Sequence, residues 1–312
     1  MSTDGLSHQV EISADNPDLE RLKVSWRRPE FTTVDGIGPL DSLYQAGDAV
    51  AAIGGFFGDK LLSIGSGIMI GPGLMLTATH VLDEFPRAGS GPVLLTLLPE
   101  GAARAWLPTA TVTCSGKSEF MMHDRKVVSD LSVVSCSLNS DAHISHIVSF
   151  APIELCLPLP GQRLWAVGFR QGKIEPGAAP VTPLVSSGLV TACYPHGRGD
   201  RMRSPCVEVA MEAQGGMSGG PVYNEDGFVV GIVSSSFDGG PTYVTLVWDA
   251  LRLSIDSLPA EIWGSRPSSL CEGKRSGLVK IRGNFKCDPY RNITLSLSDK
   301  EMRVLFSTQQ DA

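Results

Sequence analysis

The sequence predicts an all-β protein built as a barrel or a sandwich, and three observations carry this prediction. Glycine and proline are frequent, with 34 and 21 copies among 312 residues, so turns punctuate the chain throughout. The apolar residues fall in short runs rather than in the long 3.6-residue periods of helices. These runs recur at intervals that suit strands joined by turns.

Turn residues separate the individual predicted strands. Gly71-Pro72-Gly73 lies between two apolar runs and predicts a tight turn there. Asp226-Gly227 predicts the turn of a later hairpin, because this dipeptide adopts the backbone angles that two-residue hairpin loops need. The predicted strands are 61–70, 74–78, 93–98, 164–169, 183–191, 207–211, 222–223, 228–234 and 243–248.

A glycine-rich segment places one serine on a bend of the chain. The segment reads Gly215-Gly216-Met217-Ser218-Gly219-Gly220-Pro221. Glycine pairs alone predict no more than a tight turn. A serine hydroxyl is a weak nucleophile at neutral pH, so catalysis by Ser218 requires a histidine to accept its proton and an acid to orient that histidine.

The chain supplies both partners upstream of the serine. His80 follows the apolar run 74–78, and Asp130 opens the strand-like run 130–134. The spacing of 50 residues from His80 to Asp130, and of 88 from Asp130 to Ser218, leaves room for several strands around each. No other histidine follows an apolar strand into a short polar turn in this way; the others are His8, His123, His143, His146 and His196.

Three motifs in the order His, Asp, Ser resemble those of the trypsin-like serine peptidases of the chymotrypsin clan. The family's T-A-A-H motif corresponds here to Thr77-Ala78-Thr79-His80, and its D-L-A-V motif to Asp130-Leu131-Ser132-Val133. Its G-N-S-G-G-P motif corresponds to Gly216-Met217-Ser218-Gly219-Gly220-Pro221. The sequence most resembles the disulfide-free bacterial branch that includes the HtrA-type proteases. The resemblance implies two antiparallel Greek-key β-barrels with the active site in the cleft between them. The rest of the sequence adds a short C-terminal helix and a small C-terminal extension to this fold.

The resemblance also implies a chemistry, that of a serine endopeptidase acting through an acyl-enzyme. His80 would accept the proton of Ser218 and return it to the leaving amine, while Asp130 would orient the imidazole. The backbone N–H groups of Gly216 and Ser218 would form the oxyanion hole, which stabilises the negative oxygen of each tetrahedral intermediate.

Further residues are implied to contact the substrate. Ser234 would lie near the acid, and Ser234, Ser235 and Ser236 would pair with the substrate backbone as an added strand. Glu212, six residues before Ser218, stands where trypsins carry the acid that attracts Lys or Arg. A simple surface role for Glu212 is an equal alternative. Met217 replaces the aspartate that pairs with a new N-terminus in the secreted digestive enzymes, so we expect no activation by N-terminal insertion.

Two other functions are compatible with the same motifs. A peptidase-like module would bind peptides in the cleft without cutting them, although the intact His80, Asp130 and Ser218 weigh against it. An esterase or thioesterase would use the same three residues on other acyl groups. The order His, Asp, Ser differs from the Ser, acid, His order of α/β-hydrolases, which weighs against that fold.

The resemblance covers a peptidase domain at about 46–258. The first barrel is expected at about 46–150 and the second at about 160–258, joined by the proline-rich segment 155–161. Asp249 is expected to cap a helix at 250–255 that ends the second barrel.

Two segments lie outside the peptidase motifs, an N-terminal arm at 1–45 and a C-terminal extension at 259–312. In the extension, Ser298 and Glu301 have the spacing of a capping box that opens a helix. We expect the arm or the extension to bind an activating protein partner, while the cleft binds a protein or peptide substrate.

Composition limits the compartment and the other partners. The net charge of −7, from 26 basic and 33 acidic side chains, predicts no nucleic-acid binding. The N-terminus lacks the pattern of a secretory signal, and no apolar run reaches 18 residues, so we expect no membrane partner. Seven cysteines, an odd number without metal-like pairs, indicate reduced thiols. The sequence therefore predicts a cytoplasmic protein without a cofactor or metal.

Overall fold

Two closed six-stranded antiparallel barrels form the body of the protein. The computed structural model describes residues 7–10, 24–29, 31, 36–39, 47–57, 60–84, 92–98, 102–115, 127–138, 147–170, 172–174, 179–180, 183–199, 202–236, 240–264, 266–288 and 293–307.

The first barrel holds six strands from the N-terminal half of the chain. They are β1 (Val50–Phe57), β2 (Lys60–Gly71), β3 (Leu74–Ala78), β4 (Val93–Leu97), β5 (Ala102–Ser115) and β6 (Val127–Leu138). They pair in the order β1-β2-β3-β6-β5-β4, and β4 returns to β1 to close the barrel. A short helix, α1 (Thr79–Asp83), follows β3 directly.

The second barrel repeats this arrangement. Its strands are β7 (Arg163–Phe169), β8 (Pro183–Tyr194), β9 (Cys206–Val209), β10 (Pro221–Tyr223), β11 (Val229–Ser236) and β12 (Thr242–Leu246). They pair in the order β7-β8-β9-β12-β11-β10, and β10 returns to β7. The two barrels therefore share one strand order, in which the third strand pairs with the sixth.

Apolar side chains fill the first barrel around one buried charge pair. Arg104 on β5 is 1% exposed, and its guanidinium donates to the carboxylate of Asp48, which precedes β1. Burial raises the pKa of Asp48, and the positive charge of Arg104 opposes that shift. The second Asp48 oxygen accepts the backbone N–H of Ser149 at 2.8 Å, so both carboxylate oxygens have partners.

Short strands add to the sheets of both barrels. In the N-terminal arm, Gly36–Pro39 pairs with β8, whereas Val24–Trp26 forms a separate two-stranded sheet with Val148–Phe150. Ser7–Val10 pairs with β5, so the described parts of the arm lie against the barrels. The remaining short strands and turns before residue 247 are Gly47–Ala49 (a 3₁₀ turn), Ile153–Glu154, Gly172–Ile174 and Ala179–Pro180.

The chain after the second barrel forms small elements. They are a 3₁₀ helix (Val247–Arg252), the strands Ser254–Ile255 and Ser268–Ser269, α2 (Ala260–Trp263), α3 (Leu270–Ser276), the strands Ile281–Arg282, Asn284–Cys287 and Ile293–Ser296, and α4 (Asp299–Ser307). Ile281–Arg282 pairs in parallel with Ile153–Glu154 and so adds to the second sheet.

This extension contacts both the first barrel and the segment between the barrels. The indole N–H of Trp263 in α2 donates to the carbonyl of Pro72, in the turn between β2 and β3, at 2.7 Å. The carboxylate of Glu301 in α4 accepts the backbone N–H of Leu157 at 2.6 Å. The extension is therefore attached at two separate places on the double-barrel body.

The strand predictions are confirmed to within a few residues, while two local predictions are wrong. Asp249 is not a helix cap, because the 3₁₀ helix begins at Val247 and Asp249 lies buried inside it. Asp130 does not open its strand, because β6 already begins at Val127. The predicted capping box is confirmed, since Ser298 N–H donates to the Glu301 carboxylate at 2.7 Å and Glu301 N–H donates to Ser298 Oγ at 3.4 Å.

Candidate active site

The pairing of β3 with β6 brings His80 and Asp130 together. All five residues of β3 are buried, and its last residue, Ala78, lies opposite Leu131 of β6. The chain then turns into α1, which carries His80 to the surface two residues later. Asp130, the neighbour of Leu131, consequently lies beside His80 although 50 residues separate them in sequence.

A single carboxylate holds both the ring and the backbone of the histidine. Nδ1 of His80 lies 2.8 Å from Oδ2 of Asp130, and the backbone N–H of His80 donates to Oδ1 at 3.0 Å. An ionised carboxylate only accepts hydrogen bonds, so Nδ1 carries the ring proton in the neutral imidazole. Nε2 is then the unprotonated nitrogen that can accept a proton.

The surroundings of His80 raise its pKa. Burial alone would lower that pKa, but the hydrogen bond and charge of Asp130 oppose burial, and the charges of Asp83 and Glu84 add to them. The imidazole remains 46% exposed, so it is open to solvent and to a ligand. The site therefore favours the imidazolium more than water does.

Ser234 completes the hydrogen bonds of the acid. Its hydroxyl, 6% exposed on β11 of the second barrel, donates to Oδ2 of Asp130 on the first barrel. The Asp130 carboxylate thus accepts from His80 Nδ1, His80 N–H and Ser234 Oγ. These contacts fix the carboxylate at the boundary between the two barrels.

The segment that carries Ser218 is attached to both barrels. The carbonyl of Ser218 accepts the N–H of Ser66 on β2 at 2.8 Å, and the N–H of Gly219 donates to the carbonyl of Val233 on β11 at 2.7 Å. Gly219 has a φ of +80°, and a Cβ there would lie 2.8 Å from the backbone nitrogen of Ala78. Only glycine can therefore occupy position 219. The backbone next to Ser218 thus packs directly against the end of β3, the strand that leads to His80.

Two backbone N–H groups of the serine segment, including that of Ser218 itself, have no hydrogen-bond partner among the described residues. Among the residues that the structure describes, the N–H groups of Gly216 and of Ser218 donate to no protein atom. Gly216 has a φ of +95°, which favours glycine. Two free amides two residues apart are suited to bind one negative oxygen.

The other candidate residues lie at different depths. Glu212 is exposed, and so is Ser235, whose Cα pairs with Tyr243 of β12. Ser236 ends β11, and its side chain lies outside the described part of the structure. Met217 is fully buried in the apolar core of the second barrel. A buried methionine makes no ion pair at this position.

Sequence reasoning missed one residue of this site, Ser66. Its hydroxyl is fully buried and donates to the carbonyl of Gly216 at 2.7 Å. The signal that could have found it is the run Gly65-Ser66-Gly67, which places a small polar residue between two glycines inside an otherwise apolar strand.

Metal and membrane features are absent from what the structure describes. Within the described ranges, no three His, Cys, Asp or Glu side chains gather as a metal site requires. Every helix in those ranges is too short or too polar to cross a membrane. Among the cysteines whose side chains the structure describes, six carry free thiols, namely Cys136, Cys156, Cys193, Cys206, Cys271 and Cys287.

Several solved structures are similar to this chain. Human heparin binding protein is 14% identical, with 69% of this chain and 92% of that chain covered and a TM-score of 0.48. The MamO protease domain from Magnetospirillum magneticum is 19% identical, with 66% and 94% covered and a TM-score of 0.45. A Glu endopeptidase is 14% identical, with 68% and 91% covered and a TM-score of 0.46. Similarities of this size carry no argument about activity.

The sequence itself matches a protein family. A search of curated proteins found no match. The family model described as trypsin-like peptidase domain matches residues 65–232, which are more than half of the chain and include His80, Asp130 and Ser218. By that match, the chain belongs to the trypsin-like peptidase domain family.

Proposed function

We propose that this protein is a serine endopeptidase in which Ser218, His80 and Asp130 form the catalytic triad. The main support is the pair of hydrogen bonds between His80 and Asp130. With Nδ1 bonded to the carboxylate, Nε2 is the ring nitrogen that can accept a proton at the boundary between the barrels. The anchoring of the Ser218 segment to β2 and β11 at the same boundary supports the proposal. We place the chain nearest to the HtrA-type branch on its motifs alone.

In the proposed mechanism, His80 is first a base and then an acid. Nε2 accepts the Ser218 proton as Oγ attacks the peptide carbonyl carbon, and the imidazolium then donates that proton to the leaving amine. The serine ester that remains is hydrolysed when His80 deprotonates a water molecule. Asp130 favours the imidazolium at both steps, in keeping with its effect on the His80 pKa.

The unpaired amides of Gly216 and Ser218 are the proposed oxyanion hole. Because these donors already have their orientation before the substrate arrives, they need no reorganisation when negative charge develops on the carbonyl oxygen. In serine peptidases, the loss of one such donor costs about 3–4 kcal/mol of transition-state stabilisation.

Substrate recognition is proposed at the end of β11. The Ser234 hydroxyl donates to Asp130. The backbone of Ser234, Ser235 and Ser236 is proposed to pair with an extended peptide as an added strand. We retain Glu212 as a candidate for attracting Lys or Arg, since its exposure leaves the carboxylate accessible.

We also propose a cytoplasmic location and control by a protein partner. The free thiols support the location, because disulfides are rare in reducing compartments. Burial raises the pKa of Cys193 to about 11 and that of Cys206 to about 12, so these thiols are poorly reactive. The buried Met217 supports control by something other than a new N-terminus, and the arm and the extension remain the proposed partner sites.

A fluorophosphonate probe and casein digestion test the proposed activity. We expect the probe to label the wild type at Ser218 alone, and the wild type to cut casein. Ser218→Ala should lose both reactions. Ser186→Ala is a matched control, because it removes a buried hydroxyl in the second barrel whose Oγ has no partner among the described residues.

The outcomes separate the candidate functions. An unlabelled, inactive wild type would contradict the enzyme and favour the peptide-binding module. Labelling together with hydrolysis of esters, but with no peptide cleavage, would favour the esterase or thioesterase. Cleavage that persists in Ser218→Ala would exclude Ser218 as the nucleophile.

A further inference from the structure

Ser66 joins three parts of the molecule at the candidate active site. It lies on β2, its side chain is fully buried, and its hydroxyl lies 2.7 Å from the Gly216 carbonyl oxygen. The same hydroxyl accepts the backbone N–H of Phe169 on β7 at 2.9 Å. The backbone N–H of Ser66 donates to Ser218 O at 2.8 Å.

The direction of the hydroxyl proton follows from these partners. A serine hydroxyl has one proton to donate, and a backbone N–H cannot accept it. The contact with Phe169 therefore uses a lone pair of Ser66 Oγ, and the proton of the hydroxyl goes to the Gly216 carbonyl. The Gly216 oxygen thus has a donor whose own orientation is fixed by the second barrel.

Three successive peptide units after Gly216 are held in place. The 216–217 unit is held at its oxygen by Ser66 and at its nitrogen by the carbonyl of Gln214, at 3.0 Å. The 217–218 unit is held at its oxygen by the N–H of Gly220, at 2.9 Å. The 218–219 unit is held at both ends, by Ser66 and by Val233.

The orientation of the Gly216 N–H depends on the first of these units. The N–H belongs to the preceding peptide, which is related to the 216–217 unit only by rotations at Gly216. Glycine permits a wide range of such rotations, and the φ of +95° is one of them. Without a donor, the buried Gly216 carbonyl would favour a rotation that brings it to water, and this rotation would redirect the N–H.

We propose that the Ser66 hydroxyl is a positioning residue, which holds the Gly216 amide in the orientation that binds the oxyanion. This inference rests on the serine peptidase function proposed above. The Ser66 hydroxyl is buried and contacts only the backbone of Gly216 and Phe169, so its effect is expected on the rate of the chemical step and not on substrate binding.

Labelling kinetics with a fluorophosphonate provide the test, since the phosphoryl oxygen also needs the oxyanion donors. We expect Ser66→Ala to lower the maximal labelling rate about 10- to 100-fold, a loss no larger than that of one direct donor. The probe concentration at half-maximal rate should stay within about twofold of the wild-type value, because ground-state binding does not use the hole.

Ser63→Ala is the matched control for the loss of a buried hydroxyl. Ser63 lies on the same strand, is 1% exposed, and its Oγ has no partner among the described residues. A maximal labelling rate in Ser66→Ala equal to that in Ser63→Ala, with a labelled wild type, would overturn the inference alone. A wild type that is never labelled would instead overturn the proposed function.

A second variant guards against a general loss of structure. Ser66→Cys fills the site with a thiol, which is a weak hydrogen-bond donor, and should also lower the maximal labelling rate. A cysteine variant that is folded by thermal unfolding and labels at the wild-type rate would contradict the role of the hydroxyl, even if the alanine variant fails to fold.

Discussion

Asp130 shows how one side chain can determine the chemistry of another. Its two oxygens hold the His80 ring and the His80 backbone, so the imidazole cannot turn without breaking a charge-assisted hydrogen bond. The same contacts raise the His80 pKa against the effect of burial. The position and tautomer of the ring thus depend on a single carboxylate, which also contributes most to the rise in its pKa.

Replacing that carboxylate should change both the rate and its pH dependence. The proposed mechanism requires the base form of His80, so the wild-type rate should fall as pH decreases through the raised pKa of His80. In Asp130→Asn, burial acts with less opposition and the pKa falls, which shifts this limb of the profile to lower pH. The maximal rate should fall about 10⁴-fold, because the wrong tautomer is favoured.

The measurement is the pH profile of peptide hydrolysis, with His80 titrated by NMR. Asp83→Asn is the control. Asp83 is exposed, and its replacement removes one negative charge near His80 without removing a hydrogen bond to the ring. Its profile should shift less, at a nearly unchanged maximal rate. An acidic limb at the same pH in Asp130→Asn and the wild type would contradict this account.

The sign of the linked stability follows from the same shift. A histidine whose folded pKa is raised stabilises the fold at pH values below its unfolded pKa. That contribution is lost as pH rises through the folded pKa. His80 therefore favours folding in mildly acidic solution, where the proposed mechanism has the least of the base form that it needs.

Among the elements, α4 illustrates a capping residue with two functions. Glu301 closes the capping box with Ser298 through one carboxylate oxygen, and its other oxygen accepts the N–H of Leu157 between the barrels. The cap of the helix and its attachment to the peptidase body therefore depend on the same side chain.

Hydrogen exchange at Leu157 can separate these two functions. Glu301→Ala should remove the acceptor of the Leu157 amide and increase its exchange rate, and should also weaken the helix. Ser298→Ala should destabilise α4 by about 1 kcal/mol through loss of the cap. It should leave Leu157 better protected than Glu301→Ala does. Equal exchange of Leu157 in both variants would show that the contact with Glu301 does not protect this amide.

The elements also show what the sequence could predict. Strands such as β2, β3 and β7 can be predicted from local apolar runs between turns. The residues His80, Asp130 and Ser218 can be predicted because each lies in a short contiguous sequence motif. The role of Ser66 cannot, because its partners Phe169 and Gly216 lie 103 and 150 residues away. Likewise, a strand as short as Ile281–Arg282 has no local pattern, and only its parallel pairing with Ile153–Glu154 defines it.

At the scale of the whole molecule, the C-terminal extension belongs to the peptidase body. Leu270 and Val279 are buried in the larger apolar cluster, which includes side chains of both barrels, and Trp263 contacts the turn between β2 and β3. Ile281–Arg282 meanwhile extends the second sheet. The extension thus contacts both halves of the double-barrel body.

Truncation after residue 264 should therefore destabilise the protein. Loss of Leu270 and Val279 alone removes two buried apolar side chains, worth roughly 3–6 kcal/mol together. At roughly 2–4 °C per kcal/mol, the melting temperature should fall by at least about 6 °C. Truncation after residue 307, which keeps all described elements, is the control and should change little. An unchanged melting temperature in the shorter protein would contradict the structural role of the extension.

The attachment of the serine segment has a consequence for biosynthesis. Ser218 O is held by Ser66 and Gly219 N–H by Val233, and the hydroxyl of Ser234 lies on Asp130. A ribosome makes His80 and Asp130 long before Val233 and Ser234, so a nascent chain that stops short of these residues lacks the contacts that shape the site. If the proposed activity holds, it can therefore arise only after translation has passed β11.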